Sequence, residues 1–155
     1  MVSKPEKAVI LQRKFTIAAP QPKVWDLLAN AIYYSLPLEK MDIIDEKTFQ
    51  ADLRWKLACF PISLHLKGAF TNVSPPALLG CMLRISRGLM RLSLEVTFTL
   101  TQPVTDKTEV ICTAAEGDYA ARISQISGWV MRRPQRDFAT NAFESIRRRL
   151  EQLCK

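Results

Sequence analysis

What this sequence has little of narrows its chemistry first. It carries one histidine, His65, in 155 residues. A metal centre needs three or four converging ligands, and scattered carboxylates do not make up for missing imidazoles, so no metal and no metal cofactor is expected. The four cysteines, Cys59, Cys81, Cys112 and Cys154, form no C-x-x-C pair, which argues against a zinc or thioredoxin-type site. They read instead as small buried hydrophobes. No apolar run approaches the roughly 20 residues that span a bilayer. The opening Met1-Val2-Ser3-Lys4-Pro5-Glu6-Lys7 has no apolar signal-peptide core. A cytoplasmic location is therefore the expectation. Internal repeats and low-complexity tracts are missing too, and nothing marks a second domain, so residues 1–155 read as one unit.

A chain of this length can bury roughly 70% of the surface its unfolded form exposes, enough for a core without staples. Its formal charge of +7 is uneven. Between Arg122 and Lys155 stand eight basic residues and only three acidic ones. A basic face suits an anionic membrane or an acidic protein partner, and Arg132, Arg133 and Arg136 are the candidates for it. The Arg147-Arg148-Arg149 run spreads over roughly 200° of a helix with 3.6 residues per turn, so it forms no concentrated strip. With no nucleic-acid motif either, nucleic-acid binding is not expected.

Hydrophobic periodicity divides the chain into strands and helices. Leu11, Phe15 and Ile17 share one face of a strand over Ile10–Ala18. Pro20 and Pro22 stop it, and proline is tolerated in the first turn of a helix, where its missing N–H has no partner to lose. Val24, Trp25, Leu27 and Leu28 then give a short helix to about Ala29, with a second short helical turn or a loop at Tyr33–Pro37. Strands follow at Met41–Asp45 and Thr48–Leu57, the second placing Phe49, Ala51, Leu53, Trp55 and Leu57 on one face. Ile62, Leu64, Leu66 and Phe70 alternate next, then Cys81, Leu83 and Ile85. Leu92, Leu94, Val96, Phe98 and Leu100 form the most regular strand, and Glu109–Glu116 the last. Alternation with one polar face is the pattern of an antiparallel sheet, not of βαβ units. The period then changes: Phe138, Ala142, Ile146 and Leu150 recur every four residues, with Phe143 and Leu153 beside them, as in an amphipathic helix of about five turns from Gln135. Upstream of Pro134, Ile123, Ile126, Trp129 and Val130 also have helical spacing. One long helix kinked at Pro134 and a separate short helix are both open.

The order of elements, with the opening Phe15-Thr-Ile-Ala-Ala-Pro-Gln-Pro-Lys-Val-Trp-Asp-Leu-Leu28, resembles the START-like superfamily, also called SRPBCC or helix-grip. The stretch Gly128-Trp-Val-Met with Phe138, Phe143, Ile146 and Leu150 is similar to the branch of that superfamily associated with carbon monoxide dehydrogenase. That branch usually carries a glycine near the second helix, where this chain has Leu36-Pro37-Leu38-Glu39, and many members end in a membrane-associating tail. The resemblance implies an α+β fold in which a curved antiparallel sheet of about seven strands, with two short helices after the first, wraps a long C-terminal helix. It also implies an apolar space between sheet and helix that holds a hydrophobic small molecule such as a lipid or quinone.

On this reading the ligand-facing residues are Trp55, Leu64, Leu66, Leu83, Leu94, Val96 and Phe98 from the sheet and Trp129, Met131 and Phe138 from the helix. Ordinary core packing calls for the same residue types. The alternative is a cyclase- or hydrolase-like enzyme, for which the candidates are Glu116, Asp118 and His65. Glu116 and Asp118 continue the inward parity of Val110, Cys112 and Ala114, unless Gly117 ends the strand and lets both reach water. His65 has the parity of the outer face. Binding is thus favoured over catalysis, with an anionic membrane or an oxidoreductase subunit as peripheral partner.

Overall fold

The computed structural model describes residues 9–35, 38–57, 60–87, 90–116 and 125–155; the side chains of 38, 55–57, 60, 62, 87, 90–92 and 125–134 lie outside that description. Strand β1 (Val9–Ile17) leads into helix α1 (Gln21–Ser35). Six strands follow: β2 (Leu38–Ile43), β3 (Thr48–Leu57), β4 (Phe60–Ser74), β5 (Leu78–Arg87), β6 (Met90–Val104) and β7 (Lys107–Glu116). Helix α2 (Gln125–Leu153) ends the chain. The strands form one antiparallel sheet in the order β1-β7-β6-β5-β4-β3-β2, so α1 carries the chain from one sheet edge to the other. This is the expected α+β helix-grip arrangement.

The alternation in the sequence maps onto the two faces of the sheet. Along β3 and β4, Phe49, Ala51, Leu53, Leu64 and Leu66 are buried, whereas Arg54, Ser63, His65 and Lys67 are exposed. The register sets Leu53 opposite Leu64 and Ala51 opposite Leu66, so the pairs share one face. Phe49 falls opposite Gly68. Its ring lies over that glycine, and a Cβ at position 68 would run into the ring. The aromatic group at this corner is completed by Tyr33, edge-on to Phe49 with centroids 5.2 Å apart, and by Phe70, 5.9 Å from Phe49.

That cluster also explains a departure from the sequence reading. Two short helices were expected after β1, but α1 runs unbroken to Ser35. Val24, Leu28, Ala31 and Ile32 form one buried stripe along it, and Tyr33 extends the stripe onto Phe49 and Phe70, so tertiary packing carries the helix past Ala29. Strand β2 is likewise shifted from the expected Met41–Asp45 to Leu38–Ile43. Asp45 is taken by the turn instead: its Oδ1 accepts the backbone N–H of Lys47 and of Thr48, both at 2.8 Å. These hydrogen bonds hold its carboxyl below the usual carboxylate range.

Of the two possibilities for the C-terminal region, one continuous helix is found, and it runs through Pro134. It lies antiparallel to α1: the Ser35 hydroxyl donates to the Ser145 carbonyl at 3.2 Å, and Cys154 feels the charge of Lys23 near the start of α1. Gln21 pins that start to the sheet, because its amide donates to the carbonyls of Pro76 at 2.9 Å and Leu100 at 3.2 Å. Buried Thr108 donates to the Ala19 carbonyl at 2.7 Å and fixes the same corner to β7.

Because Gly68 leaves no room for a side chain under Phe49, Gly68→Ala should destabilise the fold by about 1–3 kcal/mol. Equilibrium urea unfolding measures this. The same substitution beside Phe49→Leu should cost less than the two changes summed, and simple additivity would show that the two positions are not in contact.

Candidate functional site

The space that could hold a ligand lies where α2 stands away from the sheet. The α2 backbone comes closest to α1 and β1 and keeps a greater distance from β5 and β6. Between them is a gap whose sheet wall consists of Cys81 and Leu83 from β5 and Leu94, Val96 and Phe98 from β6. Its opposite wall is Phe138, Ala139, Ala142, Phe143 and Ile146 from α2, with Ile32 of α1 closing one side. Phe98 and Phe143 meet edge-to-face across it, with ring centroids 6.0 Å apart. The gap admits the centres of water-sized spheres over about 30 Å³. A buried water needs roughly 10–15 Å³ on that measure, so the gap has space for about two. Ligand pockets usually measure roughly 300–1,000 Å³. A larger guest must therefore displace α2 or repack its side chains.

The sequence candidates divide in the structure. Leu83, Leu94, Val96, Phe98 and Phe138 border the gap. Leu64 and Leu66 are buried in the core but do not border it. The Trp55, Trp129 and Met131 side chains lie outside the described residues. Reading the sequence for large apolar side chains passed over Ile32, Cys81, Ala139, Ala142, Phe143 and Ile146. The signal for most of them was available in the four-residue period of α2, which puts Ala139, Ala142 and Ile146 on the stripe of Phe138 and Phe143.

The gap offers little to catalysis among the described residues. Cys81 is its one titratable group, and burial pushes that thiol up to about 12. At neutral pH it stays protonated, and a thiol is a poor nucleophile compared with its thiolate. Cys112 is also buried and is pushed up to about 12 for the same reason. His65 sits on the outer face, its Nδ1 3.9 Å from Asp52 Oδ1 with both side chains substantially exposed. Glu116 is the last residue of β7, half-buried and paired with Leu94. Asp118 lies outside the described residues. Among the described residues no group of three or more potential metal ligands occurs, and no helix is long and apolar enough to cross a membrane.

The basic C-terminal segment is partly neutralised within its own helix. Arg147 binds Glu144 at 2.6 Å and approaches Glu151 at 3.8 Å, and Arg148 reaches Glu144 at 3.4 Å. Arg149 stands over the Tyr34 ring, 5.8 Å from its centroid. Arg136 is exposed. Arg132 and Arg133 lie in α2 upstream of it, with side chains outside the described set.

The geometry is that of a START-like, helix-grip protein. Solved structures agree. A conserved protein from Geobacillus kaustophilus superposes with a TM-score of 0.66 at 18% identity, over 91% of this chain and 94% of its own. A START superfamily protein from Mycobacterium smegmatis gives 0.62 at 12% identity, over 93% of this chain and 95% of that one. A Chromobacterium violaceum protein gives 0.60 at 12%, over 93% and 96%. At such identities the likeness establishes the fold. No family profile and no curated protein matches the sequence.

The two buried thiols make stability pH-dependent. The folded chain keeps both protons up to about pH 12, whereas the unfolded chain releases them near the ordinary value of 9.0. Between these values the unfolded state binds fewer protons, so folding stability should fall as pH rises, by up to roughly 1.4 kcal/mol per pH unit for each thiol. Urea unfolding from pH 8 to 11 checks this: Cys81→Ala and Cys112→Ala should each flatten the slope relative to the parent chain, and an unchanged slope in both would contradict it.

Proposed function

We propose that this chain is a carrier or presenter of a hydrophobic small molecule of the lipid or quinone class, bound between the sheet and α2. One observation supports the reading above the others. The helix stands off β5 and β6, and every residue lining the resulting gap is apolar apart from the protonated Cys81 thiol. Affinity then comes from burying ligand surface, at about 25 cal/mol per Å² of apolar area. Orientation comes from the aromatic walls, Phe98 on the sheet and Phe138 and Phe143 on the helix. An enzyme of the cyclase or hydrolase kind would need a reactive group in this space, and neither His65 nor Glu116 borders the described part of it.

The neutral fluorophore N-phenyl-1-naphthylamine should bind with saturable fluorescence enhancement. Ala142→Phe, which fills the gap from the helix side, should weaken that binding at least tenfold while leaving the fold intact by circular dichroism. Equal binding by both proteins would place the probe elsewhere and count against the reading.

Delivery to an anionic membrane, or to an oxidoreductase subunit with an acidic face, would use the basic start of α2 with Arg132, Arg133 and Arg136. Electrostatic attachment to anionic lipid decays within a Debye length, about 8 Å at physiological ionic strength. Binding to phosphatidylserine-containing vesicles in a sedimentation assay should therefore weaken steeply between 50 and 500 mM salt, on the order of the loss expected for a few screened charges. Salt-independent binding, or none, would remove the membrane from the proposal and leave the protein partner.

A further inference from the structure

The helix wall of the gap contains one residue that its apolar surroundings do not explain. Gln135 is 2% exposed. At 3.6 residues per turn it lies on the same stripe of α2 as Phe138, Ala139 and Ala142, one turn before the first of them. A primary amide carries two donor hydrogens and an acceptor oxygen, and burying them without partners is unfavourable. No described residue gives or receives a hydrogen bond at this amide. By contrast, the other polar side chains in the buried set do have partners: Thr108 bonds to Ala19, and Ser93 also takes part in an interaction.

The position of Gln135 along the helix gives the amide a direction. The C-terminal end of α2 lies beside the start of α1, at the end of the sheet where Gln21 meets Pro76. Gln135 is therefore toward the opposite end, where β7 finishes at Glu116 opposite Leu94. A ligand occupying the gap and reaching one helical turn, roughly 5.4 Å, past Phe138 would bring its end to this amide. Glu116 contributes negative charge at that end of the sheet. The described stripe from Gln135 to Ile146 carries no cation on its inward positions. The combination suits an uncharged hydrogen-bonding group and opposes a carboxylate or phosphate.

We propose that Gln135 recognises the polar end of the ligand, its amide hydrogen-bonding a carbonyl or hydroxyl group on an otherwise apolar molecule. The inference rests on the reading of the gap as the ligand site and narrows the ligand class. Neutral ketones, quinone-like carbonyls and alcohols fit it; free fatty acids and plain hydrocarbons do not.

A matched pair of small bicyclic probes tests it: 1-tetralone, which carries a ring carbonyl, and tetralin, which lacks it. Titrated calorimetrically into the full chain, 1-tetralone should bind about three- to tenfold tighter than tetralin, the advantage of one neutral hydrogen bond. Gln135→Leu and Gln135→Met should abolish that preference and leave tetralin binding unchanged or stronger. Both variants should also melt at a higher temperature than the parent chain when no probe is present, since they remove an unpaired buried amide; a lower melting temperature in both would assign the amide to the fold and overturn the inference. Equal binding of the two probes by the parent chain, or a preference that survives both substitutions, would overturn it while leaving the gap as a binding site. Binding of neither probe would overturn the gap as a ligand site, and the inference with it.

Discussion

The sheet of this protein presents a continuous apolar face, running from Phe49 and Leu53 through Leu66, Leu83 and Leu94 to Phe98 and Val110, and two helices must keep water from all of it. Helix α1 covers one end and carries the chain between the sheet edges. Helix α2 covers the rest with a single stripe of side chains. A helix is about 10–12 Å across including its side chains, much narrower than seven strands spaced about 4.8 Å apart. A straight helix cannot rest equally on every strand of a curved sheet, so close packing against α1 and β1 leaves slack above β5 and β6. The gap is the geometrical remainder of that mismatch, and large side chains from both sides nearly close it.

This origin explains why the space is apolar and small. The residues bordering it are core residues first, drawn from the inward positions of β5, β6 and α2, and they meet across it as Phe98 and Phe143 do. Enlarging it breaks no backbone pairing in the sheet. Strand pairing continues from β5 to β6 and from β6 to β7 regardless of where α2 lies, while the helix is held mainly from its other flank. The compliant element is thus a helix leaning on one side, and the stiff element is a fully paired sheet.

Strand assignments were legible because the period-2 pattern is strong wherever one face is wet, as in Thr48–Leu57 and Leu92–Leu100. The length of α1 was not, because Tyr33 and Ser35 are held in the helix by contacts with Phe49, Phe70 and Ser145, all remote in sequence. The start of β2 was obscured by Asp45, whose side chain serves the turn. At the candidate site, parity located Leu83, Leu94, Val96 and Phe98 on the inner face but could not separate them from Leu64 and Leu66. The difference depends on where the helix stands off the sheet, which no local pattern records. Alanines 139 and 142 were passed over because attention to large side chains misses the small ones that make room. Gln135 was passed over as the start of an amphipathic helix, although a glutamine on the apolar stripe was visible in the same periodicity.

The pairing of β1 with β7 has a kinetic meaning. Strands β2 to β7 are joined as successive hairpins, each closed by a short connection, so their contacts are local in sequence. Val9 faces Ala115 and Ile17 faces Thr108, roughly a hundred residues of chain apart. Loop-closure entropy rises with separation, which favours assembly of the meander before the first strand docks on its far edge. During synthesis β1 emerges first yet has no partner until β7 has been made. Its exposed stretch, Val9 to Ile17, carries Gln12, Arg13 and Lys14 together at its centre, and such charge on an unpaired strand discourages pairing with another chain during that wait.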